Sequence, residues 1–154
     1  MSALYPLHVS LLDRIRRGDY VEPTGAPVPR RGRSVSLAEV ADRIAAGEDP
    51  LAAVRDFLDQ VGRRRDGALR ELIHERPAPT GSRKADALLA GVAEHLAAVR
   101  DLPCPRWTLE DGRFLDRFWF VSDVPGFRAV ALAQSPIALK RRGILWPARS
   151  LERV

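Results

Sequence analysis

The chain has one cysteine, one methionine and three histidines in 154 residues. A single thiol, Cys104, closes no intramolecular disulfide, which excludes a small secreted scaffold held by bridges. His8, His74 and His95 offer no set of four ligands at structural-zinc spacing. No apolar run approaches the ~18 residues of a membrane span. The start, Met1 to Ser10, lacks the charged-then-apolar order of a secretory signal. No G-x-S-x-G elbow is present, and no strand precedes a glycine cluster of the phosphate-loop or dinucleotide type. Period-two alternation never extends beyond four residues, which argues against a core sheet. These absences lead to an expectation of a soluble, cytoplasmic protein with no membrane segment, no metal and no cofactor.

What is abundant is arginine. Lys84 and Lys140 are the only lysines, so 23 of the 25 basic residues are Arg. With frequent Ala, Leu, Val, Asp and Gly, this matches the codon bias of a GC-rich genome. The formal charge is +5, and it is unevenly placed. Residues 1–35 carry Arg14, Arg16, Arg17, Arg30, Arg31 and Arg33 against Asp13, Asp19 and Glu22. The remainder is close to neutral. Tyr5–Arg17 has a short helical face of Leu7, Leu11, Leu12 and Ile15. Val21–Arg33 then holds Pro23, Pro27 and Pro29, which favour extended chain and remove backbone donors. Residues 1–35 therefore read as a basic, Pro-rich arm, and 36–154 as a single domain, a length of chain that buries roughly two-thirds of its unfolded surface.

Within that domain the punctuation predicts helices. Ser36 and Glu39 form a capping box ahead of Leu37, Val40, Ala41 and Ile44, and Gly47 ends the run. Asp49-Pro50 starts a second helix with the stripe Leu51, Val54, Phe57, Leu58 and Val61. A third is expected over Asp66–Glu75. A fourth, about Ser82–Arg100, places Ala85, Leu88, Leu89, Val92, Leu96 and Val99 on one side. Phe114 and Leu115 are expected on a short helix. Val124-Pro125 and Ser135-Pro136 read as two further starts, Gly143 as a stop, and Ile144-Leu145-Trp146 as a short extended or irregular tail. The fold class is all-α, an irregular bundle of six or seven helices with an N-terminal arm.

Catalytic signatures are weak. Glu71-x-x-His74 has di-iron ligand spacing, but the second such pair is missing because Val92 precedes His95 by three. His74 and His95 read as helix-surface or boundary residues. Cys104 lies between two prolines with no histidine near it in sequence, so a reactive thiol requires a distant base. Arg70 and His74 share a helix face, yet the helical RNase motif sets its Arg and His further apart. Leu37–Leu58 has helix-turn-helix proportions, but its second helix presents Ala and Leu where base-reading polar groups are required. No catalytic residue is assigned.

Seven of the ten aromatics lie beyond residue 106. Phe118, Trp119 and Phe120 are consecutive, and three neighbouring side chains on one backbone cannot all face inward. Arg113, Arg117 and Arg128 flank them, with Arg141 and Arg142 further on. Arg and Trp are enriched at interface hot spots. Arg113, Arg117, Trp119, Arg141 and Arg142 are the expected partner-binding surface, with Arg30, Arg31 and Arg33 as arm contacts.

Several stretches carry a resemblance. They are Ile44-x-x-Gly47 through Ala53-Val54-x-x-Phe57-Leu58-Asp59, Ala93-Glu94-His95-Leu96-Ala97, and Pro105-x-Trp107. They continue with Arg113-Phe114-Leu115-x-x-x-Trp119-Phe120, Ala131–Ala138 and Arg141-Arg142-Gly143-Ile144. This pattern, over Leu37–Val154, resembles a family of small helical proteins of GC-rich bacteria encoded beside nucleotidyltransferase-like toxins. The resemblance implies a non-enzymatic protein-binding component, an antitoxin or accessory protein of a toxin–antitoxin or defence-type system, whose partner is a nucleotidyltransferase-type toxin. The alternative is a nucleic-acid-binding regulator whose arm contacts phosphates without sequence choice. A third reading is an enzyme using His74 or Cys104.

Overall fold

A computed structural model describes residues 35–62 and 64–152. The expected helix over Tyr5–Arg17 and the arm residues Arg30, Arg31 and Arg33 lie outside the described residues. The protein is predominantly helical. Among the described residues are six α-helices: α1 (Leu37–Ala45), α2 (Pro50–Val61), α3 (Asp66–His74), α4 (Arg83–Val99), α5 (Phe127–Gln134) and α6 (Ile137–Lys140). Three 3-10 turns accompany them, η1 (Arg106–Leu109), η2 (Asp111–Arg113) and η3 (Ala148–Ser150). None of these helices is long and apolar enough to cross a membrane.

The first hairpin forms for the reasons its sequence states. Ser36 Oγ accepts from Glu39 N at 3.2 Å, while Glu39 Oε2 accepts from Ser36 N at 2.8 Å. Each side chain thereby satisfies a backbone donor that the helix start leaves without a partner. Gly47 then turns the chain at φ 109°, a conformation that a Cβ disfavours. Asp49 Oδ2 accepts from Ala52 N at 2.8 Å, with Pro50 in the first turn of α2. Arg43 on α1 bridges Glu48 and Asp56 at 2.6 and 2.8 Å, which ties the hairpin across its solvent side.

The core gathers around α4. Residues 87–93 of this helix are buried consecutively, so it is enclosed on all sides rather than along one stripe. Val99, expected on the buried side, is 64% exposed. The enclosure of 87–93 follows from residue size: Ala87, Ala90, Gly91 and Ala93 let neighbours approach the helix from directions that larger side chains would block. Helices α1 and α6 and the turns η1 and η2 all pack against it. At Gly91 the approach is closest. A Cβ built there would stand 2.4 Å from Leu139 Cδ2 on α6.

Two expectations are corrected, and a third is made definite. Phe114 and Leu115 lie outside any helix, because η2 ends at Arg113 and Leu115 N is taken by Arg142 O at 3.0 Å. Helix α5 starts at Phe127, after a turn in which Phe127 N reaches Val124 O, with Gly126 at φ 86° as its cap. The extended tail is one half of a small parallel pair, β1 (Trp119–Phe120) against β2 (Ile144–Leu145), with Trp119 opposite Ile144. Two strands of two residues leave the protein mainly helical, but they decide where the aromatic segment lies.

His95 on α4 is partly buried. Burial pulls its pKa below the ordinary imidazole value, with nearby Glu152 opposing the shift. The unfolded chain therefore binds a proton more readily than the native one, and stability is lost as pH falls through and below about 6.5. Replacing His95 by Gln should flatten that acid limb of a urea-midpoint profile. Gly91→Val, which drives a branched side chain into Leu139, should cost about 1–3 kcal/mol in the same assay.

Candidate docking surface

The aromatic segment is held from beneath by a buried arginine. The sequence Ala138-Leu139-x-x-Arg142 places Arg142 on the same inward side as two core residues, one turn past Ala138. Its side chain is wholly enclosed. The guanidinium forms an ion pair with Glu94 on α4 and donates to Ala138 O at 2.8 Å and Thr108 O at 2.7 Å. Its carbon lies 4.8 Å from the centroid of the Phe114 ring. Burial draws the Arg142 pKa below the usual guanidinium value, and the hydrogen bond and charge of Glu94 counter this.

Arg142 is followed by Gly143, which carries the chain into β2 at φ 79°. A Cβ at that position would lie 3.2 Å from Arg117 O and 3.3 Å from Leu115 Cβ. The absence of a side chain lets the 115–117 backbone run directly over it. Trp119 N then donates to Gly143 O at 2.7 Å, and Val121 N to Leu145 O at 3.2 Å. The register of Trp119 is thus set by a strand whose own position is fixed by a buried ion pair.

Arg113 is also interior, with 3% of its surface exposed. It donates to Pro77 O at 2.6 Å, lies 5.1 Å from the centre of the Trp107 ring, and has Asp86 and Glu110 at 3.8 Å. Desolvation lowers its pKa, and those two carboxylates counter it. Arg113 and Arg142 are therefore removed from the expected partner surface, since an enclosed guanidinium cannot reach a partner. Arg141 is part-exposed, but Glu94 holds it at 2.8 Å and Phe114 lies 5.7 Å beneath it. Sequence reasoning counted arginines as surface groups. The available signal was the helical spacing from Ala138 and Leu139 to Arg142.

What stays outward is narrower. Phe118 is 71% exposed, beside exposed Arg117 and half-buried Trp119 and Phe120. A groove of about 380 Å³ runs here, lined by Arg83, Lys84, Leu115, Asp116, Arg117, Phe118 and Trp119. Lys84 Nζ sits 5.4 Å from the centre of the Trp119 ring, and the Arg128 guanidinium is 5.1 Å from that of Phe120. Such cation–π contacts contribute ~0.5–1 kcal/mol at exposed sites. Asp116 neutralises Arg83 at 3.0 Å, whereas Arg117 makes no ion pair among the described residues. Of the seven large apolar residues exposed among the described residues, five fall between 118 and 137: Phe118, Val124, Phe127, Leu132 and Ile137. Apolar exposure is thus concentrated on the segment that runs from β1 to α6.

Among the described residues, no three His, Cys, Asp or Glu side chains cluster so as to hold a metal ion. Comparison with known proteins finds no family model, no curated protein and no solved structure that matches the chain.

Glu94→Ala should cost about 3–5 kcal/mol in urea unfolding, because it leaves the Arg142 charge buried without its counter-ion. Arg141→Ala removes only the solvent-side half of that cluster and should cost about 1 kcal/mol or less.

Proposed function

We propose that this chain is a non-enzymatic protein-binding component, an antitoxin or accessory protein of a toxin–antitoxin or defence-type system that masks a nucleotidyltransferase-type toxin. The observation that carries the protein-binding reading is Phe118, an exposed phenyl ring beside an arginine with no ion partner and lining a groove together with an indole. Contiguous exposed apolar groups mark interaction sites, whereas singly scattered ones do not, and Phe118 is contiguous with Trp119 in that lining. The resemblance in the sequence supplies the class of partner.

The surface has a definite chemistry. Arg83, Lys84, Arg117 and Arg128 surround Phe118, Trp119 and Phe120, with Asp116 as the acid in the groove lining. It suits a partner segment that presents apolar side chains among carboxylates. Arg117 and Trp119 stay in the proposed site, and Phe118 joins them. Arg141 is kept as a further contact of the partner, and Arg30, Arg31 and Arg33 add an electrostatic contact from the arm.

Co-expression with the products of adjacent genes tests the reading. A neighbour toxic alone and harmless alongside this chain is the expected result, with the two proteins copurifying. Phe118→Ala or Arg117→Glu should then weaken the complex by about 2 kcal/mol or more, with the urea midpoint of the free protein unchanged. If no neighbouring product associates, the reading fails. Binding of DNA or RNA at low salt, lost steeply as salt rises, would instead favour the nucleic-acid regulator.

A further inference from the structure

A second cationic recess lies between α3 and η1 and shares no residue with the docking surface. Leu69 and Ile73 turn α3 inward, leaving Arg70 and His74 exposed one turn apart. The indole of Trp107 donates to Ile73 O at 3.1 Å, which holds η1 against the last turn of α3. That contact brings Arg106 and the Pro103–Pro105 loop up to face Arg70 and His74 across a recess of about 300 Å³. A second recess of about 350 Å³ adjoins it and shares Arg70 and His74.

The charge balance at this place is one-sided. Nearby cations are neutralised: Arg76 by Glu110 at 2.7 Å and Arg100 by Asp66 at 3.0 Å. Arg70 and Arg106 make no ion pair among the described residues. No carboxylate lines the first recess, and Glu71 is the only one lining the second. The end of a helix normally repels an anion through its free carbonyls. Here the Ile73 carbonyl is occupied by the Trp107 indole, so that repulsion is reduced at the recess.

We propose that this recess binds a phosphate-bearing small molecule. The Arg70 and Arg106 guanidiniums take the phosphate oxygens, a role suited to their planar, forked donors. His74 adds a third donor, and Pro103, Pro105 and Trp107 form an apolar wall for the organic part. The volume matches the lower end of small-ligand sites, which favours a small phosphomonoester over a polymer.

Cys104 makes the test direct, being the only thiol in the chain, exposed, and part of the recess lining. The full chain is alkylated with iodoacetamide at fixed ionic strength, with increasing inorganic phosphate or AMP. Both should slow modification of Cys104 saturably. Arg70→Gln and Arg106→Gln, at exposed positions and checked for unchanged thermal melting, should each weaken that protection about tenfold or more. Absence of saturable protection overturns the proposal. So does equal protection by sodium chloride, or protection unaltered in both variants. Protection by a single-stranded RNA oligonucleotide but not by phosphate or AMP would assign the recess to nucleic acid and overturn it as well. None of these outcomes depends on whether a protein partner exists.

Discussion

The ion pair between Glu94 and Arg142 is the constraint on which the rest of this architecture depends. Taking both charges out of water costs several kcal/mol per ion, and the pair persists only where the geometry compensates. Compensation for Arg142 comes from four groups at once: Glu94 on α4, the Ala138 carbonyl on α6, the Thr108 carbonyl on η1, and the ring of Phe114. Arg142 therefore joins the central helix to α6, η1 and Phe114. Gly143, next in sequence, transmits that position to β2 and through β2 to Trp119.

The arginines divide into three populations that composition alone does not separate. Arg113 and Arg142 are interior brackets, each spanning a backbone carbonyl, one or more carboxylates and an aromatic face. Guanidinium suits that task better than ammonium because it is planar, weakly hydrated and forked. Arg70, Arg106 and Arg117 are among the arginines that lack carboxylate partners among the described residues, and each lines a recess where its charge can meet a ligand or partner. Ion-paired surface arginines such as Arg43, Arg76 and Arg83 form a middle class, whose solvent-screened pairs add little stability and little recognition.

Legibility varied along the chain for physical reasons. The α1–α2 hairpin was readable residue by residue because its determinants are local: a capping box, a left-handed glycine, an Asp-Pro start and two apolar stripes. Helix α4 was placed correctly, but its enclosure on every side was not, since small residues look neutral in a periodicity count. The segment from Phe114 to Phe127 was read worst. The donors of Leu115, Trp119 and Val121 are satisfied by Arg142, Gly143 and Leu145, more than twenty positions away, so no local pattern foretold where the segment lies. The same distance effect hid the recess at Arg106, which exists only because an indole reaches back to Ile73.

The residues by themselves determined the predominantly helical character, the helix boundaries around Leu37–Val61, and the crowding of aromatic and basic groups into the last third. Each of these follows from interactions between neighbours within a few positions, which a linear pattern records. The three-dimensional packing alone decided which guanidiniums are enclosed and which face outward. Burial depends on what distant elements bring together: Glu94 is 48 positions from Arg142 and Pro77 is 36 from Arg113. An arginine's spacing from its neighbours records nothing of those approaching groups.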